Sequence, residues 1–148
     1  MERSQLVNMR QALFDEGFLG EQFVRLEELQ DDSEPKFVEE MITLFFSDSA
    51  RLIQNIEQAL EKTPMDFSEL DNLLSQVNGQ CLSTGTKRVQ NECTQCREHC
   101  KAEDEEGCRR AFQRLKEERA TLKHKLDAYF QLATQIGPVE TGSPSSSK

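Results

Sequence analysis

Tryptophan is absent from this chain, and tyrosine occurs once. Seven glycines and four prolines in 148 residues are too few for the frequent tight turns of a β-sandwich or barrel, so long helices are expected instead. No apolar run approaches the roughly 18 residues that a membrane-spanning helix needs. The opening stretch, MERSQLVNMR, lacks the apolar centre of a secretory signal. Positive charge is also scarce. Eighteen lysines and arginines face 27 acids, a net charge of −9, which disfavours duplex nucleic acid and anionic membranes because both need concentrated cations. Cysteine is present five times, an odd number that argues against a complete disulfide framework and for a reducing compartment. What remains is 36% hydrophobic and 30% charged residues, enough for one modest core under a well-solvated surface.

The apolar residues follow a helical period along nearly the whole chain. Residues 3–15 place Leu6, Met9, Leu13 and Phe14 at helical spacing, and Gly17 interrupts them. A second stripe, Leu19, Phe23, Leu26 and Leu29, predicts a helix over 18–29. Asp32 or Ser33 then reads as a cap, with Pro35 in the first turn of a third helix. That helix is expected to reach about Lys62 on Val38, Met41, Ile42, Phe45, Leu52, Ile53, Ile56 and Leu60, with Thr63-Pro64 ending it. Asp66 or Ser68 opens a fourth helix carrying Phe67, Leu70, Leu74, Val77 and Cys81, and Gly85 marks the turn after it. A fifth carries Val89, Cys93, Cys96 and Cys100, and residues 103–107 connect it to the last. The last helix is expected over 108–135 on Cys108, Phe112, Leu115, Leu122, Leu126, Tyr129 and Ala133, with Gly137-Pro138 as its stop. The fold class is therefore all-α. An antiparallel four-helix bundle is expected over 35–136, with two additional N-terminal helices in 1–34 packing on it and a disordered tail over 137–148.

Cys93 and Cys96, followed by His99 and Cys100, have the outline of a zinc or redox site. All three cysteines, however, fall on the inward stripe begun by Val89, where a free thiol serves as a small hydrophobe. His99 is turned about 100° from that stripe. Core thiols are the simpler reading, and a redox- or metal-responsive site on Cys93, Cys96 and Cys100 is the alternative. His124, between Lys123 and Lys125, reads as a solvated residue. With no Ser/His/Asp set, no glycine-rich phosphate loop and no HExxH, nothing indicates an enzyme with its own active site, a cofactor or a metal.

The segment around Ser75 carries more information. Its apolar stripe centres near Leu74 and Cys81, which leaves Ser75 on an exposed flank about 120° away and Gly79 one turn further along. A mid-helix glycine costs about 1 kcal/mol relative to alanine. Gly79 is then either a tolerated surface glycine or the place where a partner approaches the helix closely.

These residues resemble the phosphoacceptor segment of plant histidine-containing phosphotransfer proteins, the carriers of cytokinin-type two-component phosphorelays. The family pattern is His-Gln-x-Lys-Gly-Ser-Ser followed by Gly-Ala-x-Arg-Val. This chain has Ser75-Gln76-Val77-Asn78-Gly79-Gln80-Cys81 and then Gly85-Thr86-Lys87-Arg88-Val89. Asp15-Glu16-Gly17-Phe18-Leu19, Gln22-Phe23, Leu29-Gln30-Asp31, Thr43-Leu44-Phe45-Phe46, Asp48-Ser49 and Glu106-Gly107-Cys108 also resemble the family, so the likeness covers nearly everything before the tail. Serine stands at the phosphoacceptor position and Asn78 at the family's lysine, which matches a pseudo-phosphotransfer branch. A serine hydroxyl without an adjacent base is a weak nucleophile, and a phosphoserine would be too stable to hand its phosphate on. Losing the lysine also removes a charge able to stabilise a transferring phosphoryl group. The resemblance implies binding to receiver domains of sensor histidine kinases and response regulators. Ser75, Gln76, Asn78 and Gly79 would lie on the partner-facing surface, with Lys87 and Arg88 as a basic edge. The expected protein is a monomer of cytosol and nucleus that competes with true carriers, without nucleic-acid or membrane partners. A residual phosphate mediator is the alternative.

Overall fold

The structure is a computed structural model that describes residues 2–141, with side chains through Ile136. Among the described residues six helices follow one another: α1 (Glu2–Asp15), α2 (Glu21–Leu29), α3 (Phe37–Leu60), α4 (Phe67–Thr84), α5 (Lys87–Lys101) and α6 (Glu105–Thr141). Helices α3 to α6 close a ring in which each packs on the next and α6 returns to α3. The connections between them are too short for anything but antiparallel neighbours. Helix α1 lies on α6, and α2 bridges α3 and α4.

The core is built from the predicted stripes. Leu70, Leu74, Val77 and Cys81 of α4 are fully buried, and they meet Ile42, Phe45, Leu52 and Ile56 of α3 and Leu115, Leu122 and Leu126 of α6 in one cluster. Burying each of the large aliphatic side chains contributes about 1.5–3 kcal/mol, so this single stripe per helix is what holds the ring closed. Asp66 opens α4 as expected, its carboxylate accepting from the Glu69 N–H at 3.1 Å.

Helix boundaries depart from expectation where tertiary contacts claim the backbone. Helix α2 starts at Glu21 rather than Phe18. Phe18 and Leu19 are instead buried in an extended connection, where the Phe18 carbonyl accepts from Lys87 N–H at 3.0 Å and Leu19 forms an isolated antiparallel bridge with Thr86. Leu29, expected on the inward stripe, is exposed at the end of α2. Helix α3 starts at Phe37, after Pro35. Neither Asp32 nor Ser33 caps it. The Asp31 carboxylate gathers Ser33 N–H, Ser33 Oγ and Glu34 N–H into a local turn, and the Gln30 side chain accepts from Val38 N–H at 3.1 Å.

Helix α6 starts earlier than expected, because the Asp104 carboxylate accepts from the Gly107 N–H at 2.9 Å and so caps it ahead of Cys108. It also continues past Gly137-Pro138, expected as its stop, to Thr141. A proline removes one N–H bond and crowds one carbonyl, and the long helix before it carries through that local penalty. The rest of the expected tail lies outside the described residues.

Candidate functional site

Helix α4 presents one face to solvent along its length. Ser75, Gln76 and Gly79 are exposed on it and Asn78 is half-buried towards α5. A Cβ built on Gly79 would meet nothing within 4 Å, so the glycine is not required by the packing of this chain. Leu82, seven residues beyond Ser75 and therefore about 20° from it around the helix, is 54% exposed on the same side. It was not singled out from the sequence, although an apolar residue 100° off a buried stripe is the signal that marks it. Behind this face, the Cys93 thiol donates to the Leu74 carbonyl at 3.0 Å. One turn before Ser75, Asp71 pairs with Arg97 of α5 at 2.9 Å. The carboxylate nearest to Ser75 along α4 is therefore engaged by a guanidinium, and no histidine stands on this helix.

The end of α4 is fixed by Gly85 in the left-handed region, φ +72°, with the N–H groups of Gly85 and Thr86 both reaching the Cys81 carbonyl. Glycine is required here twice over, since a Cβ would also stand 2.5 Å from the Phe23 nitrogen. The Gly85 carbonyl accepts from Gly20 N–H at 2.9 Å, so the α4–α5 turn is the seat of the α1–α2 connection.

Lys87 and Arg88 leave this turn differently. Lys87 is exposed, its stem lying across Gly20. Arg88 is part-exposed but anchored: it donates to Glu118 at 2.7 Å and to the Glu16 carbonyl at 3.3 Å, and its guanidinium lies 4.3 Å from the centre of the Phe18 ring. The side chain nonetheless keeps 39% of its surface open to solvent on this edge. It chiefly ties α5 to α6 and to the α1–α2 connection, a role that needs contacts far away in sequence to be visible.

All five cysteines are free and buried. Burial pushes the Cys81 thiol up to about 11 and those of Cys93 and Cys96 up to about 12. Cys93 and Cys96 point to different acceptors, the Leu74 and Cys108 carbonyls. Among the described residues no set of three or more His, Cys, Asp or Glu converges as a metal site. His99 is half-buried with Nδ1 3.2 Å from the Asp104 carboxylate, and His124 is exposed on α6, so neither lies on the Ser75 face.

Comparison with known proteins agrees with this geometry. The Hpt domain family matches residues 40–128. The rice pseudo histidine-containing phosphotransfer protein 2 is 53% identical over 136 residues, covering 92% of this chain and 90% of its own. Arabidopsis histidine-containing phosphotransfer protein 4 is 54% identical over 116 residues, 78% of this chain and 91% of its own. Among solved structures, the histidine-containing phosphotransfer protein MtHPt2 of Medicago truncatula superposes with a TM-score of 0.88 at 38% identity, over 93% of this chain and 94% of that one. With the helical ring, the exposed α4 face and full-length relatives that include pseudo members, the chain belongs to the histidine-containing phosphotransfer protein family.

Proposed function

We propose that this protein is a non-catalytic member of the cytokinin-type two-component phosphorelay, which docks on receiver domains of sensor histidine kinases and response regulators through α4 and competes there with true carriers. Membership of the family supports a phosphorelay-related role. The observation that carries the finer reading is the α4 face itself. It is exposed and unobstructed at Gly79, yet it offers Ser75 where the family's pattern has histidine, and Asn78 where it has lysine.

A hydroxyl needs a base to become a nucleophile, and the Asp71 carboxylate one turn away is paired with Arg97. Phosphate transfer at Ser75 is accordingly not expected, while docking needs only shape and exposure. Ser75, Gln76, Gly79 and Leu82 form the contact surface, with Asn78 at its α5 side and Lys87 at its far end. Arg88, part-exposed, stands beside Lys87 at that end. No cofactor is called for. Competition requires presence where the receivers are, in cytosol and nucleus.

The test is phosphotransfer from a phosphorylated sensor-kinase receiver domain. The wild-type chain is expected to take no label and to reduce transfer to a true carrier in the same tube. Ser75→His combined with Asn78→Lys is expected to take label. Wild-type label that chases onto a response regulator would overturn the competitor reading and make the protein a relay.

A further inference from the structure

Cys100 stands at the end of α5 and Cys108 in the first turns of α6. The connection between these helices folds their thiols together, with the two Sγ atoms 3.7 Å apart and one thiol able to donate weakly to the other. The surroundings hold this approach in place. The Cys96 thiol reaches the Cys108 carbonyl at 3.5 Å, and Asp104 binds the Gly107 N–H with one oxygen and approaches His99 with the other, so both helix ends are tied to one loop. The Cys93-x-x-Cys96 spacing, more suggestive in the sequence, does not produce such a pair, because those thiols are directed at separate carbonyls.

We propose that Cys100 and Cys108 form a reversible intramolecular disulfide at the α5–α6 turn, made by a hydroperoxide and removed by a thiol reductant. Cys100, 4% exposed against 0% for Cys108, is the first to react. Its thiolate attacks a peroxide oxygen and the O–O bond breaks. With hydrogen peroxide this leaves a sulfenic acid and a hydroxide, which takes the proton lost by Cys100 and becomes water. Cys108 sulfur then attacks the sulfenic sulfur, the S–O bond breaks, and hydroxide departs as water with the Cys108 proton. Two thiols are oxidised by two electrons and the peroxide is reduced to two waters. The sulfurs must close from 3.7 Å to about 2.05 Å. Burial holds both thiols in the neutral form, so the first step is slow at neutral pH and quickens as pH rises.

Trypsin makes the pair directly readable. Cleavage after Arg97, Lys101 and Arg109 leaves Cys100 in the peptide 98–101 and Cys108 in 102–109, whereas Cys93 and Cys96 share 89–97. The folded, reduced full chain is treated with hydrogen peroxide, remaining thiols are blocked with N-ethylmaleimide, and the digest is analysed by mass spectrometry. The expected product is 98–101 joined to 102–109. It should disappear with dithiothreitol and in Cys100→Ser or Cys108→Ser, and persist in Cys93→Ser combined with Cys96→Ser. An internal bond within 89–97, chains cross-linked to one another, sulfinic acid on Cys100 without the joined peptides, or thiols left unoxidised in the folded chain would each overturn the proposal. The pair lies at the end of α5 remote from Gly85, and its test does not depend on receiver binding.

Discussion

Gly79 inside α4 and Gly85 at its end sit six residues apart and answer to different demands. At Gly79 a methyl group would enter open space, and the backbone is ordinary helix. Gly79→Ala is therefore expected to raise the unfolding free energy by about 1 kcal/mol, the difference in helix propensity, as read by urea denaturation. If a receiver packs against α4 here, the same substitution should weaken binding in a calorimetric titration. A stabilised variant that binds receivers as tightly as the wild type would remove Gly79 from the interface. Gly85→Ala runs the other way: positive φ and the Phe23 nitrogen in the path of the new Cβ predict a loss of more than about 2 kcal/mol by the same denaturation. Both glycines were readable in the sequence, the first as an anomaly inside a helical stripe and the second as a turn. That Gly85 also abuts the start of α2 was not readable, because a close approach between distant segments leaves no periodic trace.

At the scale of elements, the stripes that pack were legible and the ends that dock were not. Leu70, Leu74, Val77 and Cys81 had to face inward once α4 was a helix, and so did Val89, Cys93, Cys96 and Cys100 on α5. Phe18 and Leu19 continue the apolar pattern of α2, although the helix itself begins at Glu21. Their burial comes from the bridge to Thr86 rather than from a helix face. Arg88 shows the same limit, since its partners Glu16 and Glu118 are 72 and 30 residues away. Its removal tests whether it supports this junction. Arg88→Ala should cost about 1 kcal/mol or somewhat more, because it removes the donor to Glu118 Oε2 and leaves that carboxylate, whose Oε1 is buried without a partner, with no hydrogen bond from α5. In a double-mutant cycle with Glu118→Ala, the pair should show a coupling of about 1 kcal/mol or more. Additive losses would mean that the 2.7 Å contact contributes nothing measurable to the junction.

Over the whole molecule, the unusual feature of the core is that five of its buried positions are thiols. At neutral pH burial keeps them protonated, and they pack as small apolar side chains. Burial raises their folded-state pKa values above the ordinary value of 9.0, to about 11 for Cys81 and about 12 for Cys93 and Cys96. For such a group the stabilising contribution is fully present below the unfolded pKa and is lost as pH rises through the folded one, because the unfolded chain gives up its protons first. Stability should thus be flat up to about pH 8 and fall steeply above 9. Each buried thiol contributes up to about 1.4 kcal/mol per pH unit to the slope. Urea midpoints measured under reductant from pH 7 to about 10.5 would trace this limb. Cys93→Ala combined with Cys96→Ala should lower the midpoint at pH 7, through lost packing, yet flatten the alkaline fall by the share of two thiols. A double variant that falls as steeply as the wild type would place the alkaline sensitivity elsewhere, in Cys81, Lys62 and Tyr129. The flatter limb would show that Cys93 and Cys96 stabilise this fold most in the protonated state.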